Sequence, residues 1–455
     1  MAYGLIHRLR VDSGIEAIVN VQANPGVTVT LIGSDKTAMF TAVADSTTGL
    51  AAITVNIPDT YTIGTDISAD SFAEGNTTSI DISESKTYSA QFIKLNKGYT
   101  ECGCTNAYKS NSLLVWWNGT KPTEYFSGWY CIDTDDNSEV TGEGDVYQIS
   151  SSISYRGFLK DVASGTTKTY KVGSYITVNG TNYYSAADTV TGTAKTISLN
   201  SFVKYTSSQT ITVPEGCHSI TAYCVGGGGA GGDAGYMGGP YVGLGGGGGG
   251  GGRVLNKTMT VLPGQNITIT IGGGGSGNGG AGGTTTVAVN NQSVAAPGGG
   301  GGGGSYANGW YIYLWGGGSG GSGGGEGMAA ASGSGSAWYL GGTGGSNGGG
   351  GGSVTYHIGS AIKIGQRSGP GSGQHSTTQI NGITFAGGGG GGGAGGSAGN
   401  ATPGGAGGGG AGGNVNGVSG TANTGGGGGG GGSIRRGGSH GNGGSGVAFI
   451  TFNAA

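Results

Sequence analysis

The sequence predicts a mainly β protein with essentially no α-helix, made of β-sandwich modules followed by a glycine-rich body of extended helices. Short alternating apolar segments fill the first 200 residues. Glycine accounts for 115 of the 455 residues, nearly all of its runs lie after Val225, and side chains recur there at every third position. Ordinary proteins contain about 7% glycine. Collagen is excluded because the glycine runs are unbroken and there are only 9 prolines.

Residues 1–95 form the first predicted domain, a small β-sandwich. Two apolar faces are expected from the alternation, Val27, Val29 and Leu31, then Ile53, Val55 and Ile57. Pro25-Gly26 and Thr47-Thr48-Gly49 are turn signals between strands. The segments NPGVTVTLIG, from Asn24, and ADSTTGLAAITV, from Ala44, resemble transthyretin-like or carboxypeptidase-regulatory-like modules. That resemblance implies an Ig-like sandwich that serves as an attachment module.

Residues 96–205 form a second β-rich domain. Strands on either side of Asn179-Gly180 predict a two-residue hairpin. Trp116, Trp117 and Trp129 form either a core or a sugar-stacking surface, and the core is favoured because aromatic side chains in a small β domain usually fill it.

Two segments of the second domain invite a metal interpretation. Asp133–Ser138 begins like a calcium loop, but Ser138 stands where such a loop needs glycine and Gly144 where it needs glutamate, so a polar hairpin turn is favoured. Cys102-Gly103-Cys104 lacks a second close cysteine pair, and the five cysteines are too few for a disulfide framework. We expect structural or free thiols, no metal and no cofactor.

Residues 206–455 form the glycine-rich domain. A strand pair is predicted on either side of the loop Pro214–His218, and GVAFITF at Gly446–Phe452 is a closing strand. A disordered linker has no reason to be bracketed in this way, so the body is expected to fold. The side chains that recur at every third position are Ala394, Ser397, Asn400, Pro403 and Ala406; Ser319 and Ser322; Thr343 and Ser346; and Ser439, Asn442 and Ser445.

Three residues per turn is the period of a polyproline-II type helix, and glycine lets such helices approach backbone to backbone. A weak internal repeat supports order, because TTTVAVNNQSVAAPGGGG from Thr284 is similar to TTQINGITFAGGGG from Thr377. Each copy predicts a strand or turn that leads into a glycine run.

The order of these motifs resembles a known family. ITVPEG…SITAYCVGGGGAGG, VLPGQNITITIGGGGSG, APGGGGGGG and the closing GSGVAFITF are similar to the glycine-rich domain of phage tail-fibre proteins, over Thr210–Phe452. The alternation of glycine runs with variable segments resembles the monomeric tip adhesins of T-even-like phages. The resemblance implies a sandwich of polyglycine-II helices with receptor-binding loops gathered at one end. The sequence departs from those adhesins before residue 200, where β-modules replace their attachment domain.

Aromatic residues in the segments that interrupt the glycine are the candidate receptor site. They are Tyr236, Tyr241, Tyr306, Trp310, Tyr311, Tyr313, Trp315, Trp338, Tyr339, Tyr356 and His357. Tyr and Trp give a large contact area at a low entropic cost, which favours recognition. The alternative is that these rings fold back as a small core that caps the helix ends.

Catalysis is not expected. Gly317–Gly321 matches the nucleophile-elbow pattern, but it lacks the required strand-to-helix context, and the five histidines are scattered. The formal net charge is -3, and the basic side chains predominate only after Gly216. The whole chain therefore lacks the basic footprint of a nucleic-acid-binding protein.

The expected partners are a bacterial outer-membrane protein or surface polysaccharide for the glycine-rich domain, and a tail-fibre or baseplate protein for the β-modules. Neither a signal peptide nor an apolar stretch of ~20 residues is found. This predicts a soluble protein made in a cytoplasm, and the resemblance implies a virion protein at the tail-fibre tip, made in the host. Three alternatives remain: an adhesin of a contractile injection system, a bacterial surface protein, and a structural or ice-binding glycine-rich protein.

Overall fold

The computed structural model describes residues 15–199, 202–235, 242–308, 311–320, 328–333, 336–341, 354–357, 379–385, 403–433 and 437–454. These residues form strands, turns and extended segments, and they contain no α-helix. The chain divides into two compact units, Met1–Ile197 and Ser198–Ala455.

The first unit begins with a β-sandwich. Its strands are β1 (Glu16–Ala23), β2 (Thr28–Ile32), β3 (Met39–Val43), β4 (Leu50–Asn56), β5 (Asp59–Thr65), β6 (Ser71–Phe72), β7 (Ser79–Ile82), β8 (Thr87–Phe92) and β9 (Lys94–Leu95). One sheet has the order β4-β1-β8, the other has the order β3-β2-β5-β7, and β6 pairs with β9. The predicted faces are confirmed, because Val29 and Leu31 are fully buried in the core and Ile53 and Val55 nearly so. Gly26 and Gly49 adopt the positive φ that their turns require.

A second sandwich completes this unit. Its strands are β10 (Glu101–Thr105), β11 (Ser112–Asn118), β12 (Gly128–Asp133), β13 (Glu139–Gly142), β14 (Asp145–Gln148), β15 (Ser154–Asp161), β16 (Thr167–Val178), β17 (Thr181–Tyr184) and β18 (Asp188–Thr193). The sheets run β10-β11-β15-β14 and β13-β12-β16-β17, with β18 also paired to β16. Trp117 and Trp129 are buried, with ring centroids 5.1 Å apart, which confirms the core interpretation for both. Asn179 and Gly180 form the predicted hairpin turn with positive φ.

The segment that begins like a calcium loop is a hairpin turn between β12 and β13, as predicted. The amide of Asn137 donates to the carbonyl of Asp133, and Asn137 adopts a positive φ. The ammonium of Lys168 lies 3.1 Å from the Asp133 carboxylate and 2.8 Å from that of Asp135. Hydrogen bonds to Asp135 and Asp133 raise the pKa of Lys168, so a fixed cation already pairs with these carboxylates.

The second unit contains a sandwich of two four-stranded sheets, which we call the base sandwich. The strands of this unit are β19 (Val203–Tyr205), β20 (Gln209–Thr212), β21 (Cys217–Val225), β22 (Val242–Gly245), β23 (Val254–Thr260), β24 (Asn266–Thr270), β25 (Thr285–Val289), β26 (Gln292–Ala296), β27 (Ser305–Asn308), β28 (Tyr311–Leu314), β29 (Met328–Gly333), β30 (Ser336–Gly341), β31 (Val354–His357), β32 (Gln379–Ile380), β33 (Ile383–Thr384), β34 (Gly432–Ser433) and β35 (Val447–Ala454). The base sandwich consists of the sheets β19-β35-β21-β23 and β20-β24-β25-β26.

The two bracketing strands close on each other, because β21 and β35 pair antiparallel from Val225 opposite Val447 to Cys217 opposite Ala454. The prediction that the strands on either side of Pro214–His218 pair with each other is wrong. Strand β20 pairs with β24, whereas β21 pairs with β23 and β35 in the other sheet. In the connection between β20 and β21, Val213 is buried and Gly216 adopts a positive φ. The chain crosses from one sheet to the other at this connection.

A glycine layer extends from the base sandwich. We use this name for the segments 226–235, 246–253, 272–283, 298–304, 425–431 and 437–446. Segment 226–235 continues β21, and every third amide in it, at Gly226, Gly229 and Gly232, donates to a carbonyl of segment 246–253 at 2.8 to 2.9 Å. The other two amides of each turn donate mostly to carbonyls of segments 272–283 and 437–446. The hydrogen bonds to each neighbouring segment therefore repeat every three residues, which is the period that the sequence predicts.

The carbonyls of segment 226–235 accept hydrogen bonds from segments 298–304 and 425–431 as well, so this segment lies at the centre of the layer. Residues 226–232 are all buried. In segment 437–446, Gly438, Gly441 and Gly444 are buried, whereas Ser439 and Asn442 are exposed. Ser439 and Asn442 thus lie on the outside, and the buried glycines between them face neighbouring backbones. The other recurring residues that lie outside the described residues are Ser322, Thr343, Ser346, Ala394, Ser397 and Asn400.

The internal repeat consists of two β-hairpins. Strands β25 and β26 are joined by Asn290 and Asn291, and strands β32 and β33 by Asn381 and Gly382, all four with positive φ. The second hairpin packs on the outer face of the β21–β35 sheet through Phe385, whose ring centroid lies 5.5 Å from that of Phe449.

Candidate functional site

Two further sheets lie at the end of the glycine layer away from the base sandwich, which we call the distal end. One has the order β27-β28-β31 and the other β30-β29-β22-β34. Strand β27 begins directly after segment 298–304, β22 ends directly before segment 246–253, and β34 follows segment 425–431. The sequence predicts irregular loops here, and the structure instead pairs these segments into antiparallel strands. The alternation of aromatic and small residues in these segments is compatible with a strand as well as with a loop, so the sequence does not distinguish the two.

The register of the β27-β28-β31 sheet brings together residues that are distant in sequence. Tyr306 pairs with Tyr313, and Tyr311 pairs with both Asn308 and His357. Tyr356 pairs with Ile312 in the same sheet. Five predicted site residues therefore belong to one sheet.

Of the other six predicted site residues, Trp315 directly follows β28, two lie in the second sheet and three lie outside the described residues. Trp338 and Tyr339 lie in β30, where they pair with Ala331 and Ala330. Tyr236, Tyr241 and Trp310 lie outside the described residues.

At the distal end, the aromatic side chains that the structure describes are partly exposed. Tyr306 is 41% exposed and its ring stacks on that of Tyr313, with centroids 6.2 Å apart. Trp315 directly follows β28, is 45% exposed, and donates its amide to the carbonyl of Gly304 at 3.0 Å. The position of a β-carbon on Gly304 would be 3.1 Å from the Trp315 ring, so the indole lies against a glycine that has no side chain. A closed core that caps the helix ends would bury these rings, and Tyr306 and Trp315 are not buried.

Polar side chains that sequence reasoning missed form a hydrogen-bonded group, and one of them, Asn278, lies beside Trp315. The carboxylate Oδ1 of Asp233 accepts hydrogen bonds from the backbone amide of His440 at 2.9 Å and lies 2.6 Å from its Nδ1. The side-chain Oδ1 of Asn278 accepts the amide of Asp233 at 2.9 Å. Asn278 is also within 3.2 to 3.3 Å of the β-carbon position of Gly304. We call Trp315, Asn278, Asp233 and His440 the polar patch.

A sequence signal for this patch exists. Asp233 is one of two acidic residues after Gly216, and it interrupts a glycine run that is otherwise uncharged. His440 similarly interrupts the last glycine segment. Their pairing could not be predicted because 207 positions separate them.

The first unit has another aromatic pair on its surface. Trp116 is half-buried and stacks on Tyr155 with ring centroids 4.0 Å apart and an interplanar angle of 13°. The Trp116 ring covers Gly103 on the neighbouring strand, where a β-carbon would collide with it. Since an aromatic ring commonly covers a strand glycine in this way, the pair has a structural role in the sheet.

All five cysteines are free thiols. Burial raises the pKa of Cys104 to about 11 and that of Cys131 and Cys224 to about 12, so these thiols stay protonated at neutral pH. Burial also raises the pKa of Cys102 and Cys217. Thiols in this state are poor nucleophiles and poor metal ligands. In the described part of the chain, no group of three or more His, Cys, Asp or Glu residues could hold a metal ion, and no helix is long and apolar enough to cross a bilayer.

Comparison with known proteins gives one family. The model of a family described as a glycine-rich domain matches residues 204–453. This range begins in β19 and ends in β35, so it includes the base sandwich, the glycine layer and the distal strands. None of the curated proteins compared with the chain matches it.

Proposed function

We propose that this chain, which belongs to the glycine-rich domain family, is the receptor-binding adhesin at the tip of a bacteriophage tail fibre. The observation that carries the proposal is the exposure of Tyr306 in β27 and of Trp315 directly after β28, at the distal end of the glycine layer. A layer of glycine backbones gives these strands a rigid support, and exposed aromatic rings on a rigid support favour tight recognition.

The two units would divide the work. Residues 1–197 would attach the chain to the fibre, and residues 198–455 would face the cell. Six basic and two acidic residues follow Gly216, so the weakly basic second unit suits an anionic bacterial envelope, whereas the first unit is acidic.

Binding of the labelled full chain to a panel of bacterial strains tests the proposal. On a strain that binds, we expect Trp315→Ala and Tyr306→Ala each to weaken binding at least about 10-fold, the loss expected for a residue of a binding hot spot. Tyr155→Ala, which removes a partly exposed aromatic ring of the first unit, is the matched control and should bind normally. Thermal melting separates a lost contact from a lost fold.

Three results would contradict the adhesin function. Both distal variants could bind like the unaltered chain, the control could lose as much binding as they do, or residues 1–197 alone could carry the full binding. Each places recognition away from the distal end.

An ice-binding or structural role is the second candidate, and one observation favours it. Val415 and Val418 are 51% and 56% exposed, and Thr421 continues the same row at intervals of three residues. Such a row repeats about every 9 Å in a helix of this type. Thermal hysteresis of a freezing solution that is lost in Val418→Asp would establish ice binding, and a freezing point without hysteresis would exclude it.

A further inference from the structure

The polar patch at the distal end combines an aromatic ring with hydrogen-bond donors and hydrogen-bond acceptors. The Trp315 ring and the Asn278 amide both lie against Gly304, because a β-carbon there would be 3.1 Å from the ring and 3.2 Å from the amide oxygen. Asp233 is next to this pair, because its carbonyl accepts the amide of Ser305, the residue after Gly304, at 2.9 Å. The indole and the amide therefore lie against the same glycine, and the Asp233 backbone is hydrogen-bonded both to that amide and to the residue after that glycine.

The hydrogen bonds within the polar patch leave specific polar atoms available to bind a ligand. His440 holds Oδ1 of Asp233, and within the residues that the structure describes Oδ2 has no hydrogen-bond partner. The Oδ1 of Asn278 is used by the Asp233 amide, which leaves the two N–H donors of its exposed side chain. The Asp233 side chain is 38% exposed, so solvent and ligand can reach it.

We infer that the polar patch binds a neutral hexopyranose unit of a bacterial surface glycan. The apolar C–H face of the sugar would stack on Trp315, one hydroxyl would donate to Oδ2 of Asp233, and an adjacent hydroxyl oxygen would accept from Asn278. A hydroxyl is both donor and acceptor, so two neighbouring hydroxyls satisfy a carboxylate and an amide together.

The charge and size of the patch select this ligand. The Asp233 carboxylate repels phosphate groups and acidic sugars, which favours a neutral ring. A protein partner buries about 800 Å² on each side of a stable interface, far more than one indole and two polar side chains supply. This inference rests on the proposed adhesin function and names the chemical class of its receptor.

Saturation-transfer NMR and tryptophan fluorescence on the full chain test it, with glucose, galactose and N-acetylglucosamine as neutral probes and glucuronic acid as the acidic comparison. We expect at least one neutral sugar to bind with a dissociation constant on the order of 1 mM, and glucuronic acid to bind at least about 10-fold more weakly. Trp315→Ala should abolish binding and Asp233→Asn should weaken it about 10-fold. Because Asp233 also holds His440, Asn278→Ala on the exposed turn is a second variant with less risk to the fold, and Val418→Ala is the matched control.

The inference is overturned if none of the neutral sugars binds, or if Trp315→Ala and Asn278→Ala bind them as the unaltered chain does. Loss of cell binding in Trp315→Ala without any sugar binding would overturn the glycan inference and leave the adhesin function standing. Sugar binding that Trp315→Ala abolishes, with cell binding unchanged, would support the glycan site and contradict the adhesin function.

Discussion

The second sandwich of the first unit and the glycine layer of the second unit are packed on opposite principles. In the sandwich, Trp117 and Trp129 fill the space between two sheets, and the backbones of those sheets stay apart. In the glycine layer, residues 226–232 are equally buried, yet their neighbours are other backbones. Stability in the first case comes from side chains removed from water, and in the second from hydrogen bonds between chains that approach closely because they lack side chains.

The difference predicts which substitutions each region tolerates. A sandwich loses stability when volume is removed from its core. The glycine layer loses stability when a single carbon atom is added, since a β-carbon at most of its glycines would overlap a neighbouring carbonyl.

Gly229→Ala should have the largest effect. Its β-carbon would collide with the carbonyl of Gly300 and the amide of Gly301, and backbone atoms that are held on all sides cannot move away. We expect a loss of more than about 4 kcal/mol, enough to prevent this unit from folding. Gly273→Ala is the matched control, because no atom lies within 4 Å of its β-carbon position and its φ is ordinary. Calorimetric melting should leave the control within about 1 kcal/mol of the unaltered chain, and equal melting of the two variants would refute backbone packing.

Trp117→Ala tests the opposite principle. Removing this fully buried ring leaves a cavity beside Trp129, and we expect the first unit to lose about 3 kcal/mol of unfolding free energy in a denaturant titration. Trp116→Ala, at the half-buried neighbouring position, should lose less. A larger loss for Trp116 than for Trp117 would mean that the sandwich core does not carry the stability of this unit.

Gly180→Ala should have the smallest effect of the three. No atom lies within 4 Å of its β-carbon position, and the cost arises from its φ of 76° alone. A left-handed backbone costs a residue with a side chain about 1 kcal/mol. Gly64→Ala has the same open space with an ordinary φ and should cost nothing measurable. If Gly180→Ala were as damaging as Gly229→Ala, the two reasons for glycine in this chain would not be distinct.

Local features of the fold could be predicted from the sequence because they depend on neighbouring residues. The Asn179-Gly180 turn, the buried alternation of Val29 and Leu31, and the period of three in the glycine segments are of this kind. The closing strand at residues 447–454 was recognisable because it is apolar at the end of a glycine run.

Features that depend on distant pairing could not be predicted. Strands β20 and β21 are neighbours in sequence and belong to different sheets, since the hydrophobic pattern of a strand does not specify its partner. The aromatic residues of the candidate site were identified from composition, whereas Asp233 and Asn278 were not, because their relation to Trp315 arises from the packing of three separate glycine segments.

Native-state hydrogen exchange of the glycine amides tests the central claim most directly. The amides of residues 226–232 are buried and hydrogen-bonded to three neighbouring segments. We predict that they exchange as slowly as the amides of the β21 strand that precedes them, through opening of the whole unit, with protection corresponding to its full unfolding free energy. Fast exchange at residues 226–232 beside a protected β21 would contradict the account, because the glycine segments would then be a solvated linker and not a folded layer.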